Sequence, residues 1–124
     1  LDDPSVLEEP NLDRSWIAAV DQQRRAAFDR LFEQRLGRQP TLLAQLAYDA
    51  VALAITIGNE DRSYPDNLFV DPQGFEGSAG IFRFTEEGLS QRGLAILEVG
   101  KDGLQIELEP APSSFDEDLA LNRQ

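Results

Sequence analysis

The segment from Thr41 to Ile57 constrains the fold of this chain more than any other. At helical spacing it is apolar on most sides, through Leu42, Leu43, Leu46, Ala47, Ala50, Val51, Leu53, Ala54 and Ile57. The only polar stripe is Gln45, Asp49, Ala52 and Thr56, at spacings of four, three and four. Thr41 is placed to cap this helix and Gly58 to close it. A helix so apolar is expected to be wedged between other elements. Asp49 in a buried setting could serve as a catalytic acid, but its position reads it as part of the polar stripe or as a cap on a neighbouring backbone. The longest apolar stretch, Leu46 to Ile57, is interrupted by Asp49 and is read as too short to span a bilayer.

A second helix is expected upstream. Asp21 is a good N-cap for residues from about Gln22 to Leu36, Gly37 stands where a C-cap should be, and Pro40 prevents continuation. Phe28, Leu31, Phe32 and Leu36 form its apolar stripe. Five Arg against two Asp and one Glu make Asp21–Arg38 the one basic segment of the chain. It reads as a solvated face with ion pairs such as Asp21–Arg25. Before it, Ser15 to Val20 is a short apolar run that fits a strand covered on both faces, as in a parallel α/β sheet.

The remainder reads as turns and strands. Pro4 to Leu7 could start one helical turn, and Ser63 one short helix through Val70. Asp71-Pro72-Gln73-Gly74 is a turn signal. Gly74, Gly77 and Gly80 recur every third residue, but a strand follows them where a phosphate cradle would need a helix, so they read as turn and close-packing positions. Ile81–Phe84, Leu94–Val99 and Leu104–Glu109 read as strands, the last two joined by a hairpin through Gly100-Lys101-Asp102-Gly103. The last strand is apolar on one face and acidic on the other. Pro110 and Pro112 end the regular structure, and Phe115 is placed to anchor the acidic tail.

Composition removes several chemistries. The chain has 124 residues with no Cys, His or Met, and 11 Lys plus Arg against 23 Asp plus Glu, a net charge of −12. Without thiols or imidazoles there is no disulfide framework, no cysteine nucleophile, no Ser-His-Asp triad and no His- or Cys-ligated metal. The negative charge argues against nucleic acid or an anionic membrane as the main partner. Glu86-Glu87 and Asp116-Glu117-Asp118 are adjacent carboxylates, whereas a glycosidase needs two from different elements facing across a cleft. The latter cluster lacks the bend glycine and bidentate Glu of an EF-hand loop. No catalytic residue, metal site or cofactor is therefore assigned. The start at Leu1, with no basic n-region or apolar h-region, suggests an excised or processed piece.

The order of motifs goes further. Leu12-Asp13-Arg14-Ser15-Trp16-Ile17-Ala18-Ala19 precedes Phe28-Asp29-Arg30-Leu31-Phe32 and Leu36-Gly37-Arg38-Gln39-Pro40. Ala47-Tyr48-Asp49-Ala50-Val51-Ala52-Leu53-Ala54 follows, then Gly74-Phe75-Glu76-Gly77-Ser78-Ala79-Gly80-Ile81-Phe82-Arg83-Phe84, Gly88, and Arg92-Gly93-Leu94-Ala95-Ile96-Leu97-Glu98-Val99. From about Leu12 to Phe115 this series resembles the C-terminal part of bacterial type I periplasmic solute-binding proteins, the leucine/branched-chain amino acid-binding group. Within that group it is most similar to the penicillin-binding protein activator lipoproteins.

The resemblance implies an α/β fold. Residues 1–115 would be the C-terminal portion of a type I periplasmic-binding-protein-like domain, and 116–124 an acidic tail. The elements would be one short strand, two long helices, one short helix and a three-stranded β segment ending in a hairpin. It further implies a non-enzymatic periplasmic domain whose parent binds a small solute such as an amino acid for ABC-type uptake. The alternative is a lipoprotein regulator that activates a peptidoglycan synthase. Partners would be the small ligand with an ABC permease, or the synthase; a lipid anchor would lie upstream. Trp16, Ala19 and Asp21 are the candidate ligand contacts, because α/β ligands sit beyond strand ends. Tyr48 and Asp49 are implied to be packing and positioning residues. A fragment of that fold leaves open edges and an uncovered second helix, so a homodimer or swapped dimer is expected.

Overall fold

The computed structural model describes Ser5, residues 10–60 and residues 69–116. The expected turn at 4–7, the short helix from Ser63 and the tail after Asp116 lie wholly or mostly outside the described residues. The described residues form a mixed α/β structure in which two long helices accompany two small antiparallel sheets. After a 3-10 turn at Pro10–Leu12 come β1 (Trp16–Ala19), α1 (Gln22–Leu36) and α2 (Leu42–Glu60). Five strands follow: β2 (Phe75–Gly77), β3 (Gly80–Phe84), β4 (Ser90–Arg92), β5 (Ala95–Val99) and β6 (Gln105–Glu109).

The helix boundaries follow from local chemistry. The Asp21 carboxylate accepts from the backbone N–H groups of Gln23 and Arg24, both at 3.0 Å, and so satisfies two orphan donors of the first turn. Gly37 ends α1 with φ +67°, a left-handed cap. Thr41 Oγ1 accepts from the Ala44 N–H at 3.2 Å. Gly58, expected to close α2, is instead inside it, since helical geometry continues to Glu60. The ion pairs on α1 are Arg24–Asp21 at 3.7 Å and Arg25–Asp29 at 3.9 Å.

One sheet has the order β1-β5-β6 and the other β2-β3-β4. β1 is therefore an antiparallel edge strand, not a parallel strand covered on both faces. Its register pairs Ile17 with Leu97 and Ala19 with Ala95, while Trp16 faces Glu98 on the other side. The absence of polar alternation misleads here because Trp16 and Ala18 lie on a solvent face. β5 is central, and Ala95, Leu97 and Val99 are buried along its inner face. β6 is exposed throughout, and its apolar Ile106 pairs with Glu98 on the outer face. β2 and β4 were not expected as strands. Each is three residues long and is held by pairing to β3 rather than by its own composition.

The buried apolar side chains include those of α1 (Phe28), the end of α2 (Ile57), β3 (Ile81, Phe82), β5 (Leu97, Val99) and the segment after β6 (Phe115). Phe82 stacks obliquely with Phe75 at 5.7 Å and edge-on with Phe84 at 6.0 Å. Phe28 meets Phe32 at 5.7 Å and Tyr48 at 5.3 Å, which couples α1 to α2. Of the stripe expected on α1, only Phe28 is buried, and Leu31 and Leu36 are exposed. Phe115 is buried beside Gly74 with the Arg83 guanidinium 4.3 Å from its ring centre, so it does anchor the segment after β6.

α2 departs most from expectation. Among the described residues it is not wedged between other elements. Of its polar stripe Gln45 and Asp49 are buried, 1 % and 3 % exposed, as is Ile57, while Ala52 and Thr56 are exposed; Leu43, Val51 and Ile55 are 74 %, 60 % and 57 % exposed. The helix is also longer than the apolar run suggests. Leu42–Asn59 is long and apolar enough to cross a membrane by length and composition, at a mean hydropathy of 1.4.

Candidate functional site

The inverted orientation of α2 has a local cause. The turn between β2 and β3 leaves backbone groups of Ser78 and Ala79 without partners in the ladder, and buried backbone donors must find acceptors. Asp49 supplies them: Oδ1 accepts from the Ser78 N–H at 2.6 Å and Oδ2 from the Ala79 N–H at 3.1 Å. One helical turn earlier, Gln45 Nε2 donates to the Ser78 carbonyl at 2.8 Å. From α1, Arg24 Nη1 donates to the Gly77 carbonyl at 3.2 Å, and its other nitrogen lies 3.5 Å from Glu76. Three side chains from two helices thus hold one hairpin turn. A Cβ on Gly77 would sit 2.5 Å from Asp49 Oδ2, so this position requires glycine for close approach. Asp49 accordingly caps a neighbouring backbone, one of the roles its position on the stripe suggested.

Beside this unit lies a cavity of about 410 Å³ between β1 and the start of α2. Ile17, Ala19, Leu42, Leu46 and Leu94 give it apolar walls, and Gln22, Arg25, Arg92 and Gln105 bring polar groups to it. That volume is in the range of small-molecule sites. Arg92 lies with its guanidinium 5.0 Å from the centre of the Phe82 ring, and its Nη1 is buried without a hydrogen-bond partner. The Arg92 guanidinium against apolar walls suits a small molecule with an apolar body and an anionic end, while Arg25 at the same cavity is paired with Asp29.

Of the three residues singled out from the sequence, Ala19 lines this cavity. Trp16 is on the opposite face of β1, 71 % exposed, with its indole N–H 3.4 Å from Glu98 Oε2. The Asp21 carboxylate is engaged in capping α1 and pairing with Arg24. The structure does not bring the three together. Arg24 and Arg92 were missed because nothing in their local sequence signals a contact with a distant turn or ring. Comparison with protein-family models, curated proteins and solved structures returns no match.

Proposed function

We propose that the chain is the C-terminal portion of a type I solute-binding-protein-like domain, in a non-enzymatic periplasmic protein that binds a small solute such as an amino acid. The observation that carries this reading is the contact between Asp49 and the Ser78–Ala79 backbone. The two most distinctive motifs of the resemblance, Tyr48-Asp49-Ala50 and Gly74-Phe75-Glu76-Gly77-Ser78-Ala79-Gly80, are joined by it into one packed unit. Their co-occurrence then has a structural reason. The cavity beside Ala19 offers the solute apolar walls and the Arg92 guanidinium. The test is thermal denaturation of the full-length protein against a panel of amino acids. A ligand that raises Tm, with the rise abolished by Ala19→Trp, supports uptake.

A regulatory reading has one observation of its own. Trp16 and Ile106, 71 % and 49 % exposed, lie on the outer face of the β1-β5-β6 sheet. An exposed Trp is a common anchor of protein interfaces. Binding to a peptidoglycan synthase that is lost in Trp16→Ala, with no amino acid shifting Tm, would replace the uptake reading by this one.

A further inference from the structure

Among the described residues, Arg24, Arg25, Arg83 and Arg92 are the arginines that are partly buried. The first three have acceptors. Arg24 meets Asp21, Glu76 and the Gly77 carbonyl, Arg25 meets Asp29, and Arg83 donates to Gln91 and to the Pro72 carbonyl. The Arg92 guanidinium has no acceptor among the described residues: its Nη1 is buried without a hydrogen-bond partner, and it forms no ion pair. What it does have is the Phe82 ring, 3 % exposed, with its centre 5.0 Å from the guanidinium carbon. A ring face orients a cation without neutralising it. A chain with 23 Asp plus Glu thus places none of the described ones beside this cation. A charge so placed costs stability until something pairs with it.

Arg92 borders the cavity beside Ala19, whose apolar walls include Ile17, Leu42, Leu46 and Leu94. We infer that Arg92 receives the carboxylate of the solute, and that the site takes a small apolar monocarboxylate whether or not it carries an amino group. This rests on the solute-binding reading above and narrows its ligand. A guanidinium presents parallel N–H donors that match both oxygens of a carboxylate. One such cation answers one negative charge, which favours a carboxylate over a phosphate dianion in a chain of net charge −12. Among the described residues that line the cavity there is no Asp or Glu, and Arg25, the other cation there, already faces Asp29. An ammonium group on the solute therefore finds no counter-charge among them.

Isothermal titration of the full-length protein with leucine, 4-methylpentanoate and 4-methylpentanamide tests this. The three share one branched apolar body; the second lacks the amino group, and the third lacks the charge as well. The 4-methylpentanoate should bind no more weakly than leucine and at least about tenfold more tightly than the amide, as one charged hydrogen-bonding partner implies. In Arg92→Gln the acid should lose that advantage while the amide binds as before, and Arg92→Lys should keep part of it. Urea unfolding without any solute gives an independent readout. Arg92→Met removes an unpaired charge from an apolar setting and keeps a side chain that can contact Phe82, so its midpoint should match or exceed that of wild type. A lower midpoint would mean that the guanidinium is paired elsewhere in the protein, and would overturn the inference. Affinities for leucine and 4-methylpentanoate unchanged in Arg92→Gln overturn it too, and leave the solute-binding reading standing. No binding of any of the three probes, in a protein that no amino acid stabilises, overturns both.

Discussion

Asp49→Ala should be among the most damaging single changes in this protein, although it replaces a polar group by an apolar one inside the structure. Both carboxylate oxygens are used, one by the Ser78 N–H and one by the Ala79 N–H. Each hydrogen bond to a charged group contributes about 1.5–3 kcal/mol, and each donor left buried carries its own desolvation cost. The expected loss is about 3–5 kcal/mol, a large share of the roughly 5–15 kcal/mol that holds a domain together. With a urea slope of about 2 kcal/mol/M, the midpoint should fall by roughly 2 M. Gly77→Ala supplies the second edge of a double-mutant cycle. Its Cβ would press on Asp49 Oδ2 at 2.5 Å and Cγ at 2.8 Å, so it should cost about 1–3 kcal/mol alone. It should cost much less once Asp49 is truncated, giving a coupling of about 1 kcal/mol or more. An Asp49→Ala stability within about 0.5 kcal/mol of wild type, or strictly additive costs, would refute the reasoning.

Three other outcomes follow. Gly37→Ala should lose about 1 kcal/mol in urea titrations through backbone strain at φ +67° alone, because its Cβ would meet nothing within 4 Å. Phe115→Ala should cost about 3–5 kcal/mol and speed proteolysis after β6, since the ring is buried against Gly74 and under Arg83. The Thr85 hydroxyl, with a backbone hydrogen bond, holds the Glu87 carboxyl below its ordinary value of 4.5. A carboxyl lowered in the folded state stabilises above its unfolded pKa, and that contribution fades as pH falls through the folded pKa. Thr85→Val should therefore raise the Glu87 midpoint in an NMR titration and remove this small acid-limb dependence.

Much of the secondary structure was legible because it is written locally. Asp21 and Gly37 bracket α1 by capping chemistry, Thr41 starts α2, and Gly74 and Gly88 close turns at Asp71 and Thr85 through backbone hydrogen bonds of 2.9 Å. The hairpin between β5 and β6 followed from its Gly-rich link. What was hidden depends on partners far along the chain. β1 pairs with β5 some eighty residues later, and no feature of Ser15–Val20 says whether its neighbour runs parallel or antiparallel. β2 and β4 exist only because β3 lies between them. Periodicity located the polar stripe on α2 but could not say that its Gln45 and Asp49 face inward, because the cause is the backbone of a turn some thirty residues downstream. Ala19 lines the cavity from a strand end, a position readable in the sequence, whereas Arg92 reaches the cavity through the fold alone.

The inverted docking of α2 is the centre of this account, and paired urea titrations of Gln45→Leu and Val51→Lys, extrapolated to infinite dilution, test it most directly. Gln45→Leu makes a 1 % exposed position more apolar but leaves the Ser78 carbonyl without its donor, so a loss of about 1–3 kcal/mol is predicted. Val51→Lys places a charge in an apolar helix at a 60 % exposed position and should change stability by no more than about 0.5 kcal/mol. A neutral or stabilising Gln45→Leu together with an unfolded Val51→Lys would mean that the helix docks by its apolar face, and would contradict the account.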